Sequence, residues 1–140
     1  MLAGRGSEEN IIRSYVSQKQ LDEKVVFLGV RRDIPDLMNM FDVFLFPSYY
    51  EGLGIVGIEA QAAGLPCFFS ENIPEEAAVT EHVWTQHLEN GAERWANEIL
   101  KIVESFQRKD STNKIIDAGY DIKNIAIDLQ RFYLKRAGEK

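Results

Sequence analysis

Three short runs made up entirely of apolar residues constrain the fold of this 140-residue chain more than any other feature. They are Val25–Leu28, Val43–Phe46 and Pro66–Phe69. Runs that are apolar throughout, rather than at every second position, are typical of strands buried on both faces of a parallel sheet. Because segments with helical spacing lie between them, we expect an α/β fold, with one parallel sheet flanked by helices.

The segments around these strands have the apolar spacing of amphipathic helices. The first helix is predicted to begin near Ser7, whose hydroxyl can cap a helix, and to end near Gln20. The helix Ile55–Ala63 is predicted to stop at Gly64 and Pro66. Further helices are predicted at Asp33–Met40, Gly91–Phe106, Asp110–Gly119 and Ile122–Arg136.

The composition predicts one domain, residues 1–140, with C-terminal helices from about residue 91, because no linker or repeat divides the chain. The net charge of −6 argues against a nucleic-acid partner, which usually requires a basic face. Cys67 is the only cysteine, which excludes an intramolecular disulfide, and its apolar surroundings predict a buried thiol. No apolar run approaches the roughly 20 residues of a membrane span and no signal peptide is evident, so we expect a cytoplasmic protein.

Ligands of parallel α/β sheets bind beyond the carboxyl ends of the strands, which directs attention to four loops. The Gly4-Arg5-Gly6 turn either is a tight strand-to-helix turn or lets a ligand approach the backbone, and it lacks the third glycine of a dinucleotide fingerprint. Arg31 and Arg32 either belong to a solvated helix start or form a platform on which a base stacks. The four loops are Gly4–Ser7, Gly29–Asp33, Pro47–Gly54 and Ser70–Glu76.

The loop before the third predicted helix combines two acids with two glycines. Gly52 and Gly54 are expected to adopt unusual backbone angles, which leaves the amides of Leu53–Val56 as free donors for an anion at a helix N-terminus. Glu59, one turn inside the helix, then suits a vicinal diol such as a ribose, and Glu51 suits a sugar beyond the phosphates. The alternative is that Glu59 caps or ion-pairs a surface helix and that Glu51 is a solvated loop acid.

A metal site is not predicted. The sequence contains no Asp-x-Asp pair that would clamp a metal-bound diphosphate. His82 and His87 lack the spacing of helical metal ligands, and we expect both to be structural.

Together these segments resemble the donor-binding half of the family 4, or group 1, retaining glycosyltransferases. The resemblance is strongest across FDVFLFPSYYEGLGIVGIEAQAAGLPCFFS, which has the Pro-Ser, the Glu-Gly-x-Gly loop, the second glutamate and the Ala-x-Gly-x-Pro of the family. It extends to LAGRG, VVFLGVRRDIPDLM and GYDIKNIAIDLQRFY and so covers nearly the whole chain. It implies a Rossmann-like α/β domain, the C-terminal half of a GT-B enzyme, that binds a nucleotide-sugar and requires no metal or other cofactor.

The resemblance also implies roles for individual residues. Glu51 corresponds to the acid that contacts the transferred sugar, and we assign it a catalytic role. Glu59 corresponds to the acid that holds the ribose. The other residues that correspond to nucleotide-sugar contacts are Gly52, Leu53, Gly54, Ile55 and Val56 at the diphosphate, Val30 and Arg31 at the base, and Gly4 and Gly6 at the phosphate-side turn.

The family's first strand–helix unit, with its cations for the leaving diphosphate, and its acceptor-binding N-terminal domain have no counterpart in this chain. The isolated chain is therefore expected to be inactive, because stabilising leaving-group charge is a large part of catalysis. Loss of a central strand predicts exposed pairing edges and, through them, a homodimer. We expect the full enzyme to transfer a hexosyl or N-acetylhexosaminyl group from a UDP-sugar in polysaccharide assembly, with peripheral membrane association. The alternatives are a sugar-nucleotide epimerase of the same architecture and a non-catalytic nucleotide-binding module.

Overall fold

The structure is a computed structural model, and it describes residues 1–138. Its strands are β1 Leu2–Ala3, β2 Phe27–Gly29, β3 Phe44–Phe46, β4 Cys67–Ser70 and β5 Val83–Gln86. Its α-helices are α1 Glu9–Gln18, α2 Ile34–Met40, α3 Ile55–Ala62, α4 Gly91–Val103, α5 Thr112–Asp117 and α6 Ile122–Gly138. Each predicted strand and helix is present, with ends that differ by a few residues.

All strand pairs are parallel, but they form two sheets, β1-β2 and β3-β4-β5, so the prediction of one sheet is wrong. The described residues also divide into two compact units, Met1–Asp36 and the remainder from Leu37 onward. Within residues 1–138, each outer strand of the two sheets pairs with one neighbour only. The expected homodimer through an exposed sheet edge remains a prediction. The Rossmann-like α/β class is confirmed.

The first unit consists of β1, α1 and β2, with β1 and β2 aligned at Leu2 and Phe27. Helix α1 has no side-chain hydrogen bond at its N-terminus, so the cap predicted from Ser7 is wrong. The Ser7 hydroxyl donates instead to the neighbouring carboxylate of Glu8, at 3.3 Å. The guanidinium of Arg13, on α1, lies 4.0 Å from the centre of the Phe27 ring and joins the helix to the sheet.

The core of the second unit is β4, whose four residues are at most 2% exposed. Parallel neighbours on both sides, β3 and β5, satisfy its backbone, and Phe68 stacks on Trp84 of β5 with ring centres 5.4 Å apart. Burial raises the pKa of the Cys67 thiol to about 12, and its Sγ donates to the Leu65 carbonyl at 3.3 Å. The prediction of a buried thiol is confirmed.

Helix α3 packs on β3 and β4 through a glycine. A Cβ atom at Gly57 would lie 2.6 Å from Cζ of Phe69, closer than atoms in contact can approach. Only glycine therefore lets the backbone of α3 rest on the ring of Phe69. This contact fixes the height of α3 above the sheet.

The C-terminal helices differ in how firmly they are attached. Helix α4 buries Trp95, whose indole donates to the His87 carbonyl at 3.0 Å. Helix α5 buries Ile115, and Lys114 on this helix pairs with Glu81, lowering the pKa of that carboxyl to about 2. Helix α6 has no buried residue. None of the described helices combines the length and the apolar character needed to cross a bilayer.

The side chain of Gln61, which is 0% exposed, ties α3 to the segment that follows β4. Its amide nitrogen donates to the carbonyls of Gly57 at 2.9 Å and Ala77 at 2.6 Å. Its amide oxygen accepts from the backbone amides of Val79 and Thr80, both at 2.9 Å. One buried side chain thus satisfies four backbone groups.

Replacing Gln61 with methionine keeps the size of the side chain but leaves the Ala77 carbonyl and the Val79 and Thr80 amides without this partner. We expect Gln61→Met to lower the free energy of unfolding by about 2 kcal/mol or more, because each buried polar group left unpaired costs about 1–3 kcal/mol. Urea titration followed by tryptophan fluorescence measures the change. The exposed Gln107→Met is the matched control. Equal effects of the two substitutions would contradict the structural role of Gln61.

Candidate functional site

The loop Pro47–Gly54 leaves the carboxyl end of β3 and leads into α3. Gly54 precedes the helix with φ of 78° and ψ of 47°, a left-handed conformation that disfavours other residues. It is also buried, and a Cβ atom there would lie 3.0 Å from the Phe46 ring. The predicted unusual backbone is therefore confirmed at Gly54. Gly52 has no positive φ, and a Cβ atom there would meet open space.

The turn at Gly54 leaves a row of free amides at the start of α3. Within residues 1–138, the backbone N–H groups of Leu53, Gly54, Ile55 and Val56 donate to no acceptor, and the first paired amide is that of Gly57, which donates to the Gly54 carbonyl at 2.8 Å. The helix has neither a side-chain cap nor an acid in its first turn. The positive end of the helix dipole is therefore uncompensated, and an anion with several oxygens matches it.

The two predicted acids lie on either side of these amides along the chain. Glu51 is partly buried in the loop, and its Oε1 accepts a hydrogen bond from the Ser48 hydroxyl at 2.9 Å. Glu59 is exposed on α3, four residues after Ile55 and therefore about 6 Å further along the helix axis. Glu59 makes no ion pair within residues 1–138, and Glu51 is not a fully solvated acid. The roles expected of the two acids remain predictions.

The remaining predicted residues belong to the first unit. Gly4 has a φ of 128°, and its amide donates to the Gly29 carbonyl at 2.8 Å, which joins two of the predicted loops. Gly6 is exposed but has no positive φ. The side chain of Val30 is apolar and 67% exposed.

Arg31 is held by an ion pair with Asp33. Its Nε donates to Oδ1 of Asp33 at 2.8 Å and its Nη2 donates to Oδ2, so that two parallel hydrogen bonds fix the guanidinium plane. The Asp33 hydrogen bond and charge raise the pKa of Arg31, and the same hydrogen bond lowers the pKa of Asp33. Both groups are exposed at the surface, where an ion pair contributes little to stability. Its effect is to orient the guanidinium.

Within residues 1–138, no group of three histidine, cysteine, aspartate or glutamate side chains is arranged to hold a metal ion. His82 is buried with its ring edge-on to Phe106, at 5.2 Å between ring centres. His87 is exposed, and its Nδ1 lies 3.7 Å from a carboxylate oxygen of Glu71. The expectation of a reaction without metal remains a prediction.

Arg108 supports the site from its far side and was not identified from the sequence. Its Nε donates to the Ala63 carbonyl at 2.6 Å, at the end of α3. Its Nη2 donates to the Met38 carbonyl at 2.8 Å and its Nη1 to the Asn39 carbonyl at 3.0 Å, at the end of α2. A cation at helix C-termini is stabilising. The sequence shows only that Arg108 is a basic residue after a predicted helix. This pattern is too common to identify Arg108 as a supporting residue.

The fold and this loop define a Rossmann-like α/β domain in which one helix starts with a row of free amides. A model of the glycosyl transferases group 1 matches residues 1–121. The chain belongs to this family of glycosyltransferases. The residues matched include the first unit, the second unit as far as residue 121, and with it the whole Glu51–Glu59 segment.

Relatives and solved structures agree with this assignment. The chain is 37% identical over 124 residues to the putative glycosyltransferase EpsF of Bacillus subtilis. The aligned residues make up 86% of this chain and 32% of EpsF. It is 27% identical over 132 residues to the Escherichia coli UDP-Gal:alpha-D-GlcNAc-diphosphoundecaprenol alpha-1,3-galactosyltransferase, covering 89% of this chain and 34% of that protein. The chain thus spans about a third of the length of these relatives.

Two solved structures share the fold. Anabaena HepE in complex with UDP-glucose superimposes with a TM-score of 0.75 over 96% of this chain and 40% of HepE, at 23% identity. WaaG, a glycosyltransferase involved in lipopolysaccharide biosynthesis, superimposes with a TM-score of 0.62 over 83% of this chain and 31% of WaaG, at 24% identity. The prediction of a C-terminal GT-B domain is confirmed.

Gly54→Ala tests the turn that presents the free amides. We expect it to lower the free energy of unfolding by about 1–3 kcal/mol, because alanine is strained in the left-handed region and its methyl group meets the Phe46 ring. Gly119→Ala is the matched control, since Gly119 has a φ of 86° but open space around a Cβ. Urea titration compares the two. If Gly119→Ala proves as costly as Gly54→Ala, packing against Phe46 does not constrain the turn.

Proposed function

We propose that this chain is the nucleotide-sugar-binding part of a retaining, metal-independent glycosyltransferase that acts in polysaccharide or glycoconjugate assembly. The observation that carries the proposal is the row of free amides at the start of α3, with a carboxylate before it and another within the helix. The nucleotide is UDP, and the transferred group is a hexose or an N-acetylhexosamine.

Three parts of a UDP-sugar, the diphosphate, the ribose and the sugar, find matching groups in the second unit. The diphosphate accepts hydrogen bonds from the amides of Leu53–Val56, which lie at the positive end of α3. Glu59 accepts from the two ribose hydroxyls, and its distance of about one helical turn from the amides keeps the carboxylate from repelling the phosphates directly. Glu51 accepts from hydroxyls of the sugar.

The comparisons support UDP as the nucleotide. The name of the Escherichia coli relative includes UDP-Gal, and HepE was solved with UDP and with UDP-glucose. The same relative acts on a diphosphoundecaprenol-linked sugar, and WaaG is involved in lipopolysaccharide biosynthesis. A role in surface-polysaccharide assembly, with the acceptor at a membrane surface, is proposed on that basis.

In the proposed reaction, the bond between the anomeric carbon and the diphosphate oxygen breaks as the acceptor oxygen attacks the same face of the sugar. The acceptor proton passes to the departing diphosphate, and the configuration at the anomeric carbon is retained. The amides of Leu53–Val56 stabilise the charge that develops on the diphosphate, and Glu51 orients the sugar. Further cations and the acceptor site are to be supplied from outside this chain.

Calorimetry with UDP, GDP and ADP tests the nucleotide site. We expect the chain to bind UDP most tightly, and Glu59→Ala to weaken UDP binding at least tenfold because a charged hydrogen-bond acceptor for the ribose is lost. Glu93→Ala, which removes another exposed helical glutamate, is the matched control and should leave the dissociation constant unchanged. Binding of none of the three nucleotides would refute the proposal for this chain.

A radiolabelled-sugar transfer assay tests whether this chain alone catalyses transfer. We expect no transfer from a UDP-[14C]-hexose to a lipid-linked acceptor by this chain alone, since it spans about a third of the length of its relatives. Glu51→Gln provides the background rate. Turnover above that background would show that the chain carries a sufficient catalytic apparatus.

A further inference from the structure

The Glu51 carboxylate is held by the hydroxyl of a neighbouring residue, Ser48. Ser48 is partly buried, and its Oγ lies 2.9 Å from Oε1 of Glu51 and 3.0 Å from the Tyr50 carbonyl. A serine hydroxyl has one proton, and both neighbours are acceptors, so it donates to one of them at a time. The ionised carboxylate is the stronger acceptor. Oε2 of Glu51 has no partner within residues 1–138.

Ser48 is itself fixed from the core. The hydroxyl of Ser70, a residue that is 1% exposed at the end of β4, donates to the Ser48 carbonyl. Ser70 is also held in the β4–β5 ladder opposite Gln86. A hydrogen-bonded chain therefore runs from the buried end of β4 through Ser48 to the carboxylate of Glu51.

The rest of the loop offers Glu51 no comparable restraint. The side chains of Tyr49 and Tyr50 are 83% and 85% exposed, and Gly52 has open space where a Cβ would lie. Within residues 1–138, Glu51 makes no ion pair. Without Ser48, several rotamers of Glu51 would be accessible, and binding a sugar would require one of them to be selected.

We propose that Ser48 is a positioning residue for Glu51, that Ser70 anchors it, and that together they determine how strongly the sugar part of a UDP-sugar is recognised. This inference rests on the proposed function. One oxygen of Glu51 is occupied by Ser48, and the other accepts from a sugar hydroxyl. The effect of Ser48 is therefore confined to the sugar and does not extend to the nucleotide.

The test compares the dissociation constants of UDP and of UDP-glucose or UDP-N-acetylglucosamine, whichever binds more tightly. We expect Ser48→Ala to weaken UDP-sugar binding about fivefold and UDP binding less than twofold. The fivefold change corresponds to the loss of about half the effect of a charged hydrogen bond. The Ser48 effect should vanish in a Glu51→Gln background, as required if it acts through that carboxylate. Ser111→Ala, at a buried serine of another helix start, is the control and should leave both constants unchanged.

A second pair of variants separates positioning from loop stability. Ser48→Thr keeps the hydroxyl, and Ser48→Val has the shape of threonine with a methyl group in place of that hydroxyl, so only the valine variant should lose affinity for the sugar part. Unchanged UDP-sugar affinity in Ser48→Ala or Ser48→Val, with UDP binding intact, would overturn this inference alone. Absence of UDP binding by the unsubstituted chain would overturn the proposed function and this inference with it.

Discussion

The complete burial of β4 is the constraint on which the second unit depends. Its residues Cys67–Ser70 are at most 2% exposed, and strands on both sides satisfy its backbone. Because the strands are parallel, their carboxyl ends lie at the same edge, and the loops after β3 and β4 both begin there. The ring of Phe69 then supports the α3 backbone at Gly57. The position of the free amides follows from the position of one apolar strand.

Helix α3 is held at three levels, and each uses a different interaction. Gly54 turns the chain at its start through a left-handed backbone. Gln61, in its last turn, binds it to the segment after β4 through three hydrogen bonds to backbone groups. Arg108 donates to the Ala63 carbonyl at its end. A helix restrained in this way presents its N-terminal amides in a fixed direction, which is what anion binding by backbone groups requires.

The sequence predicted most of the strands and helices because their patterns are local. The apolar runs around Val43–Phe46 and Pro66–Phe69, and the glycine before Ile55, carry their own structural signal. The division into two sheets was not predicted, because pairing between distant strands has no local pattern. The roles of Gln61 and Arg108 were missed for the same reason: their partners lie 16 or more residues away. The cap assigned to Ser7 failed because a nearby carboxylate competed for its hydroxyl.

Two carboxylates beside an anion site in a chain of net charge −6 would be an electrostatic cost if they faced the phosphates. The structure reduces that cost by geometry. Glu59 stands about one turn away from the amides on an exposed helix face, and Glu51 is drawn toward Ser48. In the proposed function, dipoles of the backbone interact with the diphosphate, while full negative charges are left for hydroxyl groups, which can donate to them. This separation is what would let the same short segment carry two glutamates and still bind an anion between them.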